Sequence, residues 1–362
     1  MNYAVVMAGG AGTRLWPLSR RKRPKQVLKL LDGQTLLGCC FERLVPVFDT
    51  RNILVLTNAG YAGTVRENLA GLPFDNVIAE PAVRDTSGAI GLAACILSKY
   101  DPDATMAVVT ADHMIEPAKA LQEALEDALA FVDAYPDRMV TFGIQPTFPS
   151  TALGYVRCGK SQRFKGCRSE VYRVEEFKEK PDEKTARKYL LSGDYLWNSG
   201  MFVWKARTIL ENLGRFLPEA SEPLSRIQAA WAGPDQERML EEWFPKMPKI
   251  SIDYAVMEKA EGVYGIRLDC KWHDLGTFAA LADVLAPEEN NNVVAGGLSE
   301  LLECRDNILV TEQEGHLIAG IGLEKMVVVH SPDATLVCRV EQADRIKELL
   351  ELLEKRGLER FL

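Results

Sequence analysis

The chain has 362 residues, with 43 Lys+Arg against 51 Asp+Glu and a formal net charge of −8. That acidic balance, without long Lys/Arg runs, argues against a nucleic-acid binder or a protein held on an anionic membrane, although a local basic loop can still hold a small anion. No apolar stretch reaches the roughly 18 residues of a membrane helix, and MNYAVVMAGG lacks the basic start of a signal peptide.

The elements follow in chain order. Residues 3–8 (YAVVMA), 53–57 (ILVLT), 76–80 (NVIAE), 105–110 (TMAVVT) and 139–144 (MVTFGI) read as strands, apolar nearly throughout and so covered on both faces. Helical patterns lie between them at 34–48, 62–69, 86–100 and 118–134, the third opened by the capping candidates Asp85, Thr86 and Ser87. This alternation predicts an open parallel α/β sheet, with ligands at the carboxyl ends of strands near a switch in strand order. After about residue 150 longer strands are expected at 154–158, 171–178 and 197–204, and helices at 184–191, 207–216 and 251–259; they read as an insertion that completes one wall of a cleft.

PEENNNVVAGG at 287–297 is polar and turn-rich, a linker candidate. Four short apolar runs then begin at 307, 316, 325 and 335, about nine residues apart, which suits a small β-meander or a few turns of β-solenoid. A final amphipathic helix carries Ile346, Leu349, Leu350 and Leu353 on one face and ends at Gly357. These roughly 70 residues are too few for a further catalytic domain; they cap the core or form a dimer contact. The 8 Cys show no CxxC spacing, and several sit in apolar runs. They read as buried thiols in a reducing cytosol rather than as a disulfide framework or zinc site.

The segment AGGAGTRLWPLSRRKRPKQ starts where the first strand ends. Gly9, Gly10 and Gly12 let backbone N–H groups approach phosphate oxygens, because no Cβ intervenes. Arg14 can add a bidentate phosphate contact and Lys25 a mobile point charge, in a stretch that Arg20, Arg21, Lys22 and Arg23 make locally basic. No Lys follows Gly12 as a Walker A loop requires, and the third glycine of a dinucleotide fingerprint is missing.

GGAGTRLWPLSRRKRPKQ resembles the GxGTRLxPxT/S…PKQ motif of sugar-1-phosphate nucleotidyltransferases, and with Trp16 and Gln26 it is most similar to their mannose-1-phosphate guanylyltransferase branch. EPAVRDTSGAIGLAA, TADH, FKEKP, WNSGMFVW, SIDYAVMEK and WHDLGTF extend the resemblance over residues 1–280, with a similar C-terminal region. The resemblance implies an α/β, Rossmann-like nucleotidyltransferase with a mixed, mostly parallel central sheet (residues 1–286) and a small C-terminal, solenoid-like β domain (298–362). It implies GTP and mannose 1-phosphate as substrates and a cytoplasmic location, with a homodimer as a candidate assembly and no nucleic-acid or membrane partner.

In that picture Arg14 and Lys25 are catalytic. Ala8, Gly9, Gly10, Gly12, Thr13, Glu80, Arg84 and Thr86 hold the nucleotide. Glu80 would accept from the N1–H and N2–H₂ edge of guanine. Gly154, Tyr155, Glu179, Lys180 and Asn198 hold the sugar phosphate, since a carboxylate can bridge vicinal hydroxyls, an ammonium can neutralise phosphate and Asn offers both donor and acceptor. Asp112 and Asp274 would bind Mg²⁺, a hard cation suited to oxygen ligands and phosphates. His113, without a His/Cys cluster around it, reads as structural, and Asp253 and Tyr254 are weaker sugar-site candidates, Asp253 being equally a helix cap. Two rivals stand beside this reading. One is a non-catalytic sugar-nucleotide sensor on the same fold; the other is the same chemistry on another hexose or heptose 1-phosphate.

Overall fold

In the computed structural model, which describes residues 1–10, 12–29 and 33–362, the apolar runs become the middle of one sheet. Its strands are β1 (Asn2–Met7), β2 (Ile53–Asn58), β3 (Val77–Glu80), β4 (Thr105–Thr110), β6 (Met139–Ile144), β7 (Tyr155–Arg163), β8 (Glu170–Lys178), β9 (Tyr195–Lys205) and β10 (Val263–Arg267). A separate short pair consists of β5 (His113–Glu116) and β11 (Lys271–Asp274). The order in the sheet is 3-2-1-4-9-6-10-8-7. β1 therefore sends its chain to β2 on one side while β4 enters on the other, and a crevice opens between the carboxyl ends of β1 and β4.

Alternate side chains of β1 explain why the sheet is buried on both faces. Ala4 and Val6 join one apolar cluster, Tyr3 and Val5 the other. Helices α1 (Leu36–Leu44), α2 (Ala62–Asn68) and α4 (Ala118–Ala134) supply Leu37, Val65 and Leu125 to the first cluster. α3 (Asp85–Tyr100) packs in the second with α6 (Ala206–Phe216) and α7 (Ser221–Ala230), which follow α5 (Glu183–Ser192).

The expectation of a mostly parallel sheet holds for strands 3-2-1-4 and fails beyond them. β9 runs antiparallel to β4, β6 and β7, and β8 runs antiparallel to β7 and β10, so among the described residues the one parallel pair there is β6–β10. The reason is connectivity. The strands after residue 150 include a hairpin, and hairpins pair antiparallel without a crossover helix. Residues 251–259, expected to be helical, form a short helix, wound as a π-helix at Asp253–Met257. α8 (Gln236–Trp243) and α9 (Phe278–Ala282) were not foreseen.

The C-terminal region holds β12 (Val293–Ala295), β13 (Leu298–Leu302), β14 (Ile308–Thr311), β15 (Leu317–Ile321), β16 (Met326–Ser331), β17 (Ala334–Arg339) and α10 (Ile346–Lys355). Consecutive strands do not pair as a meander would. β12–β14–β16 form one parallel ladder and β13–β15 a second; only β16–β17 is an antiparallel hairpin. The expected linker is itself part of this structure. β12 lies within it, and buried Asn292 takes the backbone N–H and side-chain amide of Asn307 on its Oδ1. Ile308, Val310, Val327, Val329 and Ile346 share an apolar cluster with Leu15, Trp16, Leu18 and Phe278, so the region is joined to the loop after β1. The eight cysteines are free thiols.

Candidate active site

Asp112 follows β4 at the crevice, while Asp274 comes from far along the chain. The β5–β11 pair brings them together. Its antiparallel register sets Asp274 opposite His113, and Leu275 N–H reaches the Asp112 carbonyl at 3.4 Å. Lys25, buried on the turn Lys25–Val27, places Nζ 2.7 Å from Asp112 Oδ2 and 3.5 Å from Asp274 Oδ1. Burial works to lower the Lys25 pKa, but the two carboxylates outweigh it and hold the ammonium above the ordinary lysine range. Burial likewise opposes ionisation of Asp112, and Lys25 overcomes it, so that carboxyl is held below its ordinary range.

Asp112, His113 and Asp274 offer ligand atoms all within 4.8 Å of one another. The His113 ring is committed elsewhere, because Nδ1 accepts from Trp272 Nε1 at 3.2 Å. The neutral ring then carries its proton on Nε2, the nitrogen 4.0 Å from Asp112. That leaves two carboxylates as the available donor set, and two hard oxygen ligands fit a divalent cation such as Mg²⁺.

The glycine turn lies directly over Lys25. Gly12 has φ +63°, and a Cβ there would stand 2.5 Å from Lys25 Cβ and 2.6 Å from its Cγ, so only glycine fits. Gln26 Nε2 donates to the Gly10 carbonyl at 2.9 Å and Ser19 Oγ to the Gly12 carbonyl at 2.7 Å. Gly9 and Gly10 border a cleft of about 380 Å³ that also meets Glu80, Arg84, Thr86 and Asp112. Three buried polar atoms of this cleft have no hydrogen-bond partner among the described residues: Gln26 Oε1, Glu80 Oε1 and Thr110 Oγ1. Glu80 is 7% exposed, and burial pushes its pKa up to about 7. An unpaired buried carboxylate is costly unless a ligand supplies donors.

Arg84 and Thr86 line this cleft while also bonding within the chain, and among the other expected contacts Ala8, Thr13 and Arg14 lie outside its lining. Arg84 donates through Nε and Nη2 to the Pro245 carbonyl and through Nη1 to Val83, tying the start of α3 to the 244–246 turn. Thr86 Oγ1 accepts the Ile252 N–H at 2.8 Å. Ala8 is spent on the sheet: its N–H bonds Leu56 and its carbonyl accepts from Thr57. Thr13 lines the junction with the C-terminal helix, beside Ser19 and Arg20. The Arg14 ion-pair partner is Asp344, 4.0 Å away.

Gly154, Glu179 and Asn198 converge at the other end of the crevice. A Cβ on Gly154 would run into the Glu179 carboxylate and lie 3.3 Å from Asn198 Cβ. Lys180 Nζ donates to Glu179 Oε1 at 2.7 Å; burial works against this ammonium, but Glu179 outweighs it and its pKa stays raised. Asn198 Nδ2 donates to Asp253 Oδ1 at 3.0 Å, and its Oδ1 accepts from Thr141 Oγ1 at 2.9 Å. Burial and the Glu179 carboxylate push Asp253 up to about 7. Asp253 therefore belongs to this end of the site; the SIDYAVMEK motif carried that signal, but a capping role competed with it. Tyr155 does not reach the crevice with its side chain. The ring is fully buried in the core and its hydroxyl donates to the Ser150 carbonyl at 3.0 Å. Gln26, Asn58 and Thr110 line the cleft beside Gly9 and Gly10 without having been expected there; Gln26 alone had a signal, as the last letter of PKQ.

Residues 3–291 match the family described as Nucleotidyl transferase, and residues 301–353 match the MannoseP isomerase/GMP-like beta-helix domain. The chain is 36% identical over 360 residues to a mannose-1-phosphate guanylyltransferase of Klebsiella pneumoniae, covering 98% of this chain and 74% of the relative. It is 37% identical over 364 residues to the mannose-1-phosphate guanylyltransferase ManC of Salmonella typhimurium, with coverage of 98% and 74%. A crystal structure described as mannose-1-phosphate geranyltransferase from Thermus thermophilus superposes with a TM-score of 0.86 at 35% identity, covering 98% of this chain and 99% of that one.

Proposed function

The chain belongs to the nucleotidyl transferase family, and on that premise we propose that it converts GTP and α-D-mannose 1-phosphate to GDP-mannose and diphosphate. The sugar-phosphate oxygen attacks the α-phosphorus in line, and the bond to the β-phosphate oxygen breaks as diphosphate leaves. No covalent nucleophile is needed, so the protein's work is positioning and charge neutralisation. The observation that carries the reading is the unpaired, buried Glu80 carboxylate in the same cleft as Gly9, Gly10 and Asp112. It suits an edge with two donors, as guanine presents and adenine does not.

Lys25 meets the phosphates beside the glycine turn. Asp112 and Asp274 would hold Mg²⁺, which when bound neutralises phosphate charge. Lys180 neutralises the sugar phosphate, while Glu179, Asn198 and Asp253 orient the hydroxyls. Residues 1–286 form the transferase domain and 298–362, with β12 joined to them, the β domain, a short solenoid. The parallel registers Ile308↔Val327 and Leu298↔Leu317 support that, since each returns the chain above its previous turn. No helix of the described residues is long and apolar enough to cross a membrane, and free thiols suit the cytoplasm. Diphosphate release from GTP, mannose 1-phosphate and Mg²⁺ tests the proposal. Release is expected, and none from GTP with any hexose 1-phosphate would refute it.

A further inference from the structure

The run from Gly12 to Leu28 has little ladder of its own: two 3-10 turns and the single bridge Arg20↔Arg23. Such a segment takes its shape from tertiary contacts. Val27 and Lys25 take theirs from the transferase core, and residues 15–23 take theirs largely from the C-terminal element. Trp16 Nε1 donates to the Phe361 carbonyl at 2.6 Å. Arg20 Nη2 donates to Asp333 Oδ1 at 2.7 Å and Ser331 Oγ at 3.1 Å. Arg21 pairs with Glu354 and Arg23 with Glu312, each at 2.6 Å. Leu15, Leu18 and Leu28 lie in one apolar cluster with Val310, Val327 and Leu336. The basic character of this loop is thus answered by acids of the same chain.

We propose that the C-terminal element is the template of the glycine turn, and that Arg20 and Trp16 are positioning residues that set where Lys25 points. Among the ion pairs, Arg20–Asp333 carries the claim. The Arg21 and Arg23 side chains are about half exposed, where such pairs contribute little, whereas Arg20 is 15% exposed. Arg20 also lies over the Trp16 ring, 5.4 Å from its centroid. Both residues flank Ser19, whose hydroxyl fixes the Gly12 carbonyl, and Gly12 touches the Lys25 stem. A shift of the Arg20 anchor therefore passes through two contacts to Nζ.

The inference rests on Lys25 acting on phosphate, so its test includes a readout free of substrate. Arg20→Ala, Asp333→Asn and the reversed pair Arg20→Asp with Asp333→Arg are made in the full chain. Arg305→Gln, which breaks a surface pair with Glu324 away from the loop, is the control. Amide exchange over residues 12–28 is measured on nucleotide-free protein, and turnover by diphosphate release. Arg20→Ala and Asp333→Asn are expected to speed exchange and lower kcat by about 10–100-fold, with the KM for the sugar phosphate nearly unchanged. The reversed pair recovers part of both, and the control changes neither. Wild-type exchange in Asp333→Asn, or fast exchange with wild-type kcat, would overturn the proposal. Asp333 is half exposed, so that variant decides the matter if Arg20→Ala does not fold. If the wild-type enzyme releases no diphosphate, the assigned reaction fails, and the exchange arm alone decides the template claim.

Discussion

The two ends of the crevice are prepared in opposite ways. At the end proposed for the nucleotide, Glu80 Oε1, Gln26 Oε1 and Thr110 Oγ1 are buried without partners among the described residues. At the end proposed for the sugar, Asn198 is bonded to Asp253 and Thr141, and Lys180 to Glu179. An unpaired buried acceptor is relieved only by a ligand that brings a donor, and a ligand lacking it leaves the full penalty in place. A satisfied network merely exchanges internal bonds for bonds to hydroxyls. The base should therefore be selected strongly and the hexose more loosely.

The contrast can be broken or sharpened by substitution, beginning with the groups that serve both ends. Lys25→Ala removes the cation between Asp112 and Asp274, and diphosphate release should fall by about 10²–10³, with a cooperative melting transition retained. Gly12→Ala forces a Cβ into the Lys25 stem and a non-glycine residue into left-handed backbone. About 10²-fold in kcat and about 1–2 kcal/mol of stability should be lost, read by turnover and denaturant titration.

Glu80→Gln sharpens the contrast because its two effects have opposite signs. A hydrogen bond to a charged group is worth about 1.5–3 kcal/mol, so kcat/KM for GTP should drop by roughly one to two powers of ten. Stability should move the other way. The folded-state pKa of about 7 lies above the ordinary 4.5, so the folded protein holds this proton longer than the unfolded chain does. The stability tied to it is complete below pH 4.5, is lost as pH rises through 7, and stays lost above. The variant escapes that loss, and at pH 8 it should be more stable by up to about 3 kcal/mol. The smallest effect belongs to Tyr155→Phe: about 1 kcal/mol of stability from the lost bond to Ser150, with the sugar-phosphate KM unchanged.

The N-terminal sheet was legible because its strands are apolar runs covered on both faces, and the helix at Ala118–Ala134 has the ends that periodicity predicts. Asp112 and Lys25 were legible as a strand end and a motif. The meeting of Asp112 with Asp274 was legible only through the family resemblance, because it depends on a four-residue pairing, His113–Glu116 with Lys271–Asp274, too short to leave a pattern of its own. The arginines at 20, 21 and 23 were legible only as local charge for a related reason. Local charge shows that a partner must be anionic, but not that acids near the C-terminus supply it. Tyr155 was drawn toward the sugar by its neighbour Gly154, although strand alternation sends adjacent side chains to opposite faces.

The most direct measurement of the central claim is a matrix of kcat/KM values. It sets GTP, inosine triphosphate and ATP against mannose 1-phosphate and glucose 1-phosphate, with Mg²⁺ at saturation. The account predicts that GTP exceeds ATP by about 10⁴, that inosine triphosphate falls between them, and that the two sugars differ by far less. Equal use of ATP and GTP, or sugar selectivity greater than base selectivity, would contradict it.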